Sequence, residues 1–392
     1  MPNENLHKAK NAKNDEFYTQ YADIQNEINA YINYNPDVFR DKTILLPCDD
    51  PEWSNFTKFF AQNFENFGLK KLISTSYAAA SKKYSIGYQP SLFEKSSTDF
   101  DESKTATHGK IFVLKKGSKR KVNIDDLKWK YMDGDGDFRS DEVKKLRDEA
   151  DMIITNPPFS LLREFVAWLF ETDKKFIIIG NLNAAGNKKI FPLIKGNRMW
   201  LGNGFKAGNA YFGTVPNREY AEGVYDLNTG LVKFRNCCWF TNIEHGKRHT
   251  PLQLMSMADN IKYSRHEQIK GVGYQKYDNY DALEVPFTDA IPSDYDGVMG
   301  VPITFLDKYC PEQFEILGST QRGCHDSVPD TKKYDDYWEV KQNGEKTGAS
   351  GGKTNENPNV VGNDGKKNYF INAEGRIVQS LYTRIFIIKR KG

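Results

Sequence analysis

The sequence lacks the cysteine and histidine patterns that form disulfide frameworks or bind zinc. Its five cysteines show no Cys-x-x-Cys spacing, and its six histidines show no zinc-ligand spacing. An odd number of scattered cysteines is typical of reduced thiols, so we expect a cytoplasmic protein. A Walker A loop and a His-Glu-x-x-His helix are also absent. The usual sequence support for an NTPase or a zinc hydrolase is therefore missing.

Long apolar runs are absent as well. No apolar segment approaches the roughly 18 to 20 residues that cross a bilayer, and residues 1–15 contain no signal-peptide core. We therefore expect no membrane association. The formal charge is only +3 over 392 residues, which permits a nucleic-acid partner without requiring one. Any affinity for nucleic acid must then come from local patches of charge.

Short apolar runs alternate with helix-like segments from residue 41 onward. The predicted strands include residues 43–46, 71–74, 151–155 and 175–180. The predicted helices include residues 55–67, 141–149 and 161–169. This alternation is typical of an α/β fold with a doubly wound parallel sheet. Because such sheets bind ligands at the carboxyl ends of their strands, Asp49, Asp137 and Asn156 are expected at one edge.

The composition changes near residue 245, which suggests two regions. Residues 1–245 carry the alternating pattern. In residues 246–392, the segments 277–281 and 291–304 are rich in Pro, Gly, Asp and Tyr. Within the second region, residues 341–367 hold six glycines and almost no large apolar side chains. This composition predicts a long flexible loop.

The most informative motif is Asn156-Pro157-Pro158-Phe159, which follows an apolar strand and precedes a helix. The Asn156 side-chain oxygen and the Pro157 carbonyl can both accept hydrogen bonds from the exocyclic amino group of adenine. Acceptors fixed in this way favour a localised nitrogen lone pair and help most as charge develops. Phe159 could stack on the base, and the prolines limit the entropy lost on binding. The alternative is an ordinary turn that ends a strand.

Acidic side chains follow the first predicted strand. Asp49 and Asp50 stand at its carboxyl end, where carboxylates can pair with an ammonium group or accept from a ribose hydroxyl. On this motif alone, a helix cap or a solvated turn is an open alternative.

The segment Asp133 to Phe138 looks at first like a calcium loop. Its sixth position is Phe138 instead of Gly and its twelfth is Lys144 instead of Glu, so we predict no metal site. We interpret it as a loop at a strand end in which Asp137 accepts from an adenine amino group and Phe138 lies beside the ring. A plain acidic turn is the alternative.

Two further segments combine polar and aromatic side chains. Tyr18 and Thr19 precede a helical stretch and could also form a simple capping segment. Trp239 lies in the predicted strand 236–242 and could stack on the second face of an extruded base. The alternative for Trp239 is an ordinary buried strand residue.

Taken together, these motifs resemble the EcoRI-type adenine-specific DNA methyltransferases. The resemblance covers most of the chain, with gaps at about residues 81–130 and 319–380. Its segments in this sequence include 6–20, 48–51, 134–140, 155–160, 236–242, 276–281, 295–306 and 311–317.

The resemblance implies a Rossmann-like methyltransferase sheet with a C-terminal target-recognition region. It implies S-adenosyl-L-methionine as donor and adenine N6 in double-stranded DNA as acceptor, reached by base flipping. The enzyme is expected to be a monomer. It is expected either to belong to a restriction-modification system, with a cognate endonuclease acting separately, or to be an orphan modification enzyme.

The resemblance also implies roles for the site residues. The implied catalytic residues are Asn156, Pro157 and Phe159. The implied donor-binding residues are Tyr18, Thr19, Asp49, Asp50, Asp137 and Phe138. The glycines usual after the first strand are missing, since Cys48-Asp49-Asp50-Pro51 stands there, so the ribose contact stays open.

Two other functions share part of this pattern. RNA methyltransferases and protein-glutamine methyltransferases also recognise an amide or amino group in this way. The long C-terminal region contains no recognisable RNA-binding module, which argues against them. A DNA-binding protein with a decayed catalytic fold is the third possibility. The intact motifs at Asn156 and Asp137 argue against it.

Overall fold

The computed structural model describes residues 18–78, 100–117, 127–205, 209–213, 225–321, 330–350, 355–365 and 367–391. The chain divides into two compact units. The first comprises Met1–Asn181 and Trp200–Gly246, and the second comprises Leu182–Met199 and Lys247–Gly392. The predicted division after residue 245 did not anticipate that Leu182–Met199 joins the second unit. In the described part of the chain, every helix is too short or too polar to span a bilayer.

An eight-stranded mixed sheet forms the centre of the first unit. Its strands are β2 (Thr43–Leu46), β3 (Lys71–Thr75), β4 (Lys110–Lys115), β5 (Trp129–Tyr131), β6 (Met152–Thr155), β7 (Lys175–Asn181), β8 (Trp200–Leu201) and β12 (Cys237–Thr241). They are arranged in the order β5-β4-β3-β2-β6-β7-β12-β8. Strands β3, β2, β6 and β7 are parallel neighbours, and the flanking strands are antiparallel.

The continuous apolar runs explain the parallel centre of this sheet. Every residue of β2 and β6 is buried, as expected for strands covered on both faces. Strand β3, the next strand along the chain, pairs with one edge of β2, and β6 pairs with the other edge. The order of strands therefore reverses beside β2, and ligands bind at the carboxyl ends of strands at such a reversal.

Among the described residues of the first unit there are four α-helices: α1 (Tyr21–Tyr34), α2 (Asn55–Gln62), α3 (Asp141–Glu149) and α4 (Leu162–Leu169). Helix α1 buries Ile24, Ile28 and Tyr31, whose spacing places them on one face. Ser54 and Ser140 cap α2 and α3 through side-chain oxygens that accept backbone N–H groups. Helix α2 ends at Gln62, five residues before the predicted end, and a series of turns follows.

A smaller antiparallel sheet completes the first unit. It contains β1 (Tyr18–Thr19), β9 (Asn209–Gly213), β11 (Leu231–Arg235) and β10 (Tyr225–Asp226), in the order β1-β9-β11-β10. Burial alternates along β9, where Ala210 and Phe212 are buried and Tyr211 is exposed. One face of this sheet therefore packs on the core and the other is open.

The described part of the second unit contains two sheets and the short helices α5 (Phe191–Lys195) and α6 (Met257–Tyr263). The four-stranded sheet has the order β13 (Leu283–Glu284), β14 (Met299–Pro302), β21 (Arg384–Lys389), β15 (Phe314–Ser319). The five-stranded antiparallel sheet has the order β17 (Lys346–Ser350), β16 (Trp338–Val340), β19 (Tyr369–Ile371), β20 (Ile377–Ser380), β18 (Asn359–Val361).

A buried ion pair links β13 to β21 across the four-stranded sheet. Arg384 Nη2 lies 2.7 Å from Glu284 Oε1, and the two side chains are only 10% and 9% exposed. Arg384 Nε also donates to both oxygens of Glu284, at 3.2 and 3.1 Å. The Tyr277 hydroxyl donates to the same carboxylate. The buried charges are thus paired and hydrogen-bonded, as burial requires.

The prediction of a flexible loop over residues 341–367 is wrong for a large part of that segment. Strands β17 and β18 lie within it, and β16 and β17 form a hairpin. Gly344 has φ +86° at the hairpin turn, and the Gly344 N–H donates to the Lys341 carbonyl at 2.9 Å. Asn343-Gly344 is thus a turn of the kind that joins antiparallel strands. Glycine supplies the left-handed backbone of this turn rather than general flexibility.

Candidate active site

A pocket opens at the carboxyl ends of β2 and β6, where the order of strands reverses. Most of the predicted site residues line it: Tyr18, Thr19, Asp49, Asp50, Asp137, Phe138 and Asn156. These residues come from four separate segments of the chain. The fold therefore gathers the candidate donor-binding residues around the asparagine of the Asn-Pro-Pro-Phe motif. Residues 6–17 of the predicted N-terminal motif lie outside the described residues.

Asp49 joins several structural elements at the pocket. The Ser54 hydroxyl donates to its Oδ1 at 2.7 Å, and the Thr155 hydroxyl donates to its Oδ2 at 2.5 Å. Its backbone N–H donates to the Thr75 carbonyl at 3.0 Å, and its own carbonyl accepts from Ser74. Asp49 thus connects the ends of β2, β3 and β6 with the start of α2.

Burial sets the charge of this carboxyl group. Asp49 is 4% exposed, and burial raises its pKa to about 7. The hydrogen bonds from Thr155 and Ser54 oppose this shift because they favour the ionised form, whereas the nearby charge of Asp50 adds to it. Asp49 therefore changes its charge near neutral pH.

Asp50 organises the turn that follows β2. Its Oδ1 accepts the backbone N–H groups of Glu52 at 2.8 Å and Trp53 at 3.3 Å. The Asp50 carbonyl accepts from the Ser54 N–H at 2.9 Å. Asp50 therefore forms a turn, which was one of the alternatives open from the sequence. The same side chain also lines the pocket.

Asp137 is held by the arginine two residues after it. Arg139 Nε and Nη2 lie 2.9 and 2.6 Å from the Asp137 carboxylate oxygens, and the Arg139 backbone N–H donates at 2.9 Å. Arg139 Nη1 also donates to Glu164 at 3.1 Å. The fork of a guanidinium group fixes the orientation of a carboxylate more firmly than an ammonium group does. The loop after β5 therefore presents a pre-oriented acceptor to the pocket.

Phe138 contributes an apolar wall beside Asp137. Its ring is 4% exposed and meets Phe165 edge-on, with centroids 5.0 Å apart, and Trp168 with centroids 5.7 Å apart. These two aromatic side chains of α4 fix the ring orientation. An aromatic wall next to an oriented carboxylate suits a flat heterocycle that carries an amino group.

The motif Asn156-Pro157-Pro158-Phe159 follows β6 directly. Asn156 and Pro158 line the pocket, whereas Pro157 is buried, and neither Pro157 nor Phe159 is among the lining residues. The Phe159 ring packs edge-on against Phe212 and Phe234, with centroid distances of 5.9 and 5.4 Å. The corner therefore faces the pocket through Asn156 and the small sheet through Phe159.

Thr19 carries a polar atom that suits a bound ligand. Thr19 is 2% exposed and lines the pocket. Its Oγ1 is buried and makes no hydrogen bond to any residue that the structure describes. A buried hydroxyl without a partner costs free energy, which a polar group of a ligand could recover.

Two glycines let the loops beside the pocket approach each other closely. A Cβ atom on Gly109 would lie 2.5 Å from the Ser76 carbonyl oxygen and 2.8 Å from Gly136 Cα. Gly136 has φ +76° and is packed against the same carbonyl. Ser76 and Gly136 both line the pocket, so this contact fixes part of its wall.

Trp239 does not lie where the predicted stacking role requires it. The side chain is fully buried and stacks on Phe205, with centroids 5.3 Å apart, while its edge meets Phe56. The structure realises the alternative of an ordinary core strand, because every residue of β12 is buried. We therefore do not propose Trp239 as a base-stacking residue.

Several pocket residues were not predicted, among them Cys48, Ser54, Tyr77 and Arg139. Ser54 could have been found as the cap of the helix that follows the acidic pair. No local pattern marks Tyr77. Burial and the neighbouring Asp49 carboxylate raise the pKa of the Cys48 thiol well above its usual value, so this side chain is a neutral part of the wall.

Comparisons with known proteins agree with this arrangement. The family model described as "Adenine-specific methyltransferase EcoRI" matches residues 5–391. The chain is 42% identical over 320 residues to the type II methyltransferase M.EcoRI of Escherichia coli, covering 80% of this chain and 89% of that protein.

Two mycoplasma proteins are also similar. Identity is 33% over 322 residues to the type II methyltransferase M.MgeORF184P of Mycoplasma genitalium, covering 80% of this chain and 85% of that protein. Identity is 31% over 321 residues to the type II methyltransferase M.MpnI of Mycoplasma pneumoniae, covering 80% and 84%. No solved structure matches the chain.

The resemblance predicted from the motifs is thereby confirmed, and with it the mixed α/β class of the fold. The family match extends over nearly the whole chain, so it includes every segment that lines the pocket. This chain belongs to the family of EcoRI-type adenine-specific methyltransferases and is an adenine-specific type II DNA methyltransferase.

Proposed function

We propose that the enzyme transfers a methyl group from S-adenosyl-L-methionine to N6 of an adenine flipped out of double-stranded DNA. The observation that carries the proposal is the pocket itself, which joins Asn156 to the candidate donor-binding residues. We propose further that the eight-stranded sheet is the Rossmann-like methyltransferase sheet, because its parallel centre and reversal beside β2 place the pocket where such sheets bind ligands.

The pocket residues suit this donor. S-adenosyl-L-methionine supplies an electrophilic methyl group on a positively charged sulfur. Asp49 and Asp50 offer carboxylates to its cationic groups, and the buried hydroxyl of Thr19 offers a partner to its polar atoms. Tyr18 borders the same region. Asp137 and Phe138 line the pocket, and we propose that Asp137 accepts a hydrogen bond from the adenine amino group of the donor while Phe138 lies along the ring.

Asn156, Pro157 and Phe159 are proposed to hold the target base. The side-chain oxygen of Asn156 and the Pro157 carbonyl each accept a hydrogen bond from the amino group. This leaves the nitrogen lone pair directed at the methyl group. Phe159 stacks on the base from the side of the small sheet. The reaction needs no covalent enzyme intermediate, because positioning and fixed dipoles suffice for a good leaving group.

Residues 246–392 are proposed to supply target recognition. Base flipping costs a few kcal/mol, which contacts to phosphates and base edges must offset. We further propose that the protein acts as a monomer, with a cognate restriction endonuclease acting separately or as an orphan enzyme.

A methyl-transfer assay tests the proposal. Purified protein is incubated with tritiated-methyl S-adenosyl-L-methionine and, in parallel, with duplex DNA, RNA or a glutamine-containing peptide. We expect label only in DNA, recovered after digestion as N6-methyldeoxyadenosine. Label in RNA or peptide, or in another deoxynucleoside, would overturn the proposal. Methylation-aware sequencing of DNA from an expressing host then gives the recognised sequence.

A further inference from the structure

The open face of the small sheet carries a cationic and aromatic surface. We define the β9–β11 face as Tyr211, Lys233 and Arg235. We propose that this face binds the phosphodiester backbone of the DNA strand that carries the target adenine. The inference rests on the proposed function. It places a DNA contact in the first compact unit, apart from the recognition region proposed for residues 246–392.

The strand register puts these three side chains on the same face. Tyr211 pairs with Lys233 and Asn209 pairs with Arg235 across β9 and β11, and opposite residues of an antiparallel pair point the same way. Tyr211 is 41% exposed and Arg235 is exposed, whereas Ala210, Phe212 and Val232 on the other face are buried. Lys233 Nζ lies 5.8 Å from the centroid of the Tyr211 ring.

This face is continuous with the candidate active site. Tyr18 pairs with Gly213 on the same side of the sheet and also lines the pocket. On the opposite side, Phe212 and Phe234 contact the Phe159 ring. The same sheet therefore supports the proposed base-binding corner with its buried face and borders the pocket with its open face.

The charge of the face suits an anionic partner. Neither Lys233 nor Arg235 forms a salt bridge with any described residue. In the described strands of this sheet, the one acidic side chain is Asp226 on the outer strand β10. Its carboxylate accepts from the Asn228 N–H at 2.9 Å within its own turn.

The spacing of the cations suits a nucleic-acid strand in particular. Lys233 and Arg235 are two residues apart on one strand, which separates them by roughly 6.6 Å. Duplex DNA carries one phosphate on each strand per roughly 3.4 Å of helix axis, so two cations at this spacing can meet phosphates of a single strand. A tyrosine hydroxyl beside them is a common phosphate donor.

The test compares two double variants with the same loss of charge. Lys233→Gln with Arg235→Gln removes the cations of the face. Arg40→Gln with Lys116→Gln removes one Arg and one Lys that are 61% and 62% exposed and paired with Asp37 and Asp41. The measurement is Kd for a duplex bearing the sequenced target site, over a series of KCl concentrations.

We expect the slope of log Kd against log salt to fall by about 1.8 in the first variant, since each phosphate contact contributes about 0.9. The Arg40 and Lys116 variant should keep the wild-type slope. Exchange of the cations, Lys233→Arg with Arg235→Lys, should also keep it. The binding constant for S-adenosyl-L-methionine should be the same in all three variants.

The outcomes separate the inference from the proposed function. A wild-type enzyme that methylates adenine in DNA, together with an unchanged slope in the Lys233 and Arg235 variant, overturns the role of the β9–β11 face alone. Equal loss of slope in both Gln variants also overturns it, because bulk charge then explains the effect. A wild-type protein that neither binds nor methylates DNA overturns both.

Discussion

The hydroxyl of Thr155 donates a hydrogen bond of 2.5 Å to the carboxylate of Asp49. Thr155 is the last residue of β6 and immediately precedes Asn156, while Asp49 follows β2. Both side chains are buried. One buried carboxylate therefore connects the strand end that leads to the proposed base-binding corner with the strand end that borders the proposed donor site.

Replacing Thr155 with Val should lower kcat and also raise KM for S-adenosyl-L-methionine, because the hydrogen bond from Thr155 helps to keep the pKa of Asp49 down. The substitution keeps the shape but removes the donor to Asp49, and an unsatisfied buried acceptor costs about 1–3 kcal/mol. Relaxation of the strand end would then displace Asn156. Thr155→Ser retains the hydroxyl and should restore kcat in steady-state assays.

Thr241→Val is the matched control for this prediction. Thr241 is also fully buried in the same sheet, and its hydroxyl donates to the Phe176 carbonyl at 2.8 Å, outside the pocket. This variant should lose stability with little change in kcat. Similar kcat values for the two Val variants, each measured well below its melting temperature, would contradict a positioning role for Thr155.

Donor affinity should rise with pH through about 7. Burial raises the pKa of Asp49 to about 7, so the carboxyl is largely neutral below that pH and ionised above it. The ionised form attracts a sulfonium cation, so binding of the donor should release a proton and strengthen as pH increases. Calorimetry in buffers of different ionisation enthalpy measures both effects.

Asp49→Asn provides the comparison for the pH dependence. Its donor affinity should vary less with pH, although Asp50 and Asp137 also line the pocket. S-adenosylhomocysteine, whose sulfur is neutral, should show a weaker dependence on the wild-type enzyme. Parallel pH profiles for the wild type and Asp49→Asn would rule out Asp49 as the titrating group.

Replacing Asn156 with Ala should reduce methyl transfer by about 10²–10³-fold or more, as for the loss of one fixed dipole at a reacting centre. Binding of S-adenosyl-L-methionine should stay close to the wild-type value, because the carboxylates and Thr19 are untouched. Tritium transfer and equilibrium binding measure the two quantities separately. Loss of both together would show that Asn156 serves the structure of the pocket.

Glu284→Gln should destabilise the second unit by about 3–5 kcal/mol, because it leaves the Arg384 charge buried without its carboxylate partner. Glu345→Gln breaks the Lys341 pair, whose side chains are 65% and 52% exposed, and should change stability far less because solvent screens an exposed ion pair. Urea unfolding followed by tryptophan fluorescence compares the two. Equal effects would contradict a role for burial in this pair.

The central sheet was predictable because its strands are continuous apolar runs with acidic or polar residues directly after them. That pattern located Asp49 and Asn156, and parallel strands bring such ends together. Asp137 was predictable instead from the acidic loop at residues 133–138. Pairing of β1 with β9 was not predictable, since it joins residues almost 200 positions apart. No local pattern encodes that contact, and the same holds for the lining residue Tyr77.

Two errors have identifiable physical causes. The sequence of β12 does not reveal that both faces of the strand are covered, so Trp239 lies in the core instead of stacking on a ligand. The glycine content of residues 341–367 predicts flexibility, although Gly344 instead forms a hairpin turn. The side chains that pack against Trp239 are distant from it in sequence. The left-handed backbone of Gly344 cannot be read from composition.

The contact between Gly109 and Gly136 has a consequence for how this enzyme can evolve. Each glycine faces the other and the Ser76 carbonyl with no room for a methyl group. A substitution at one position cannot be compensated at the other, because no residue is smaller than glycine. We therefore expect changes in this enzyme to be tolerated elsewhere rather than at these two positions.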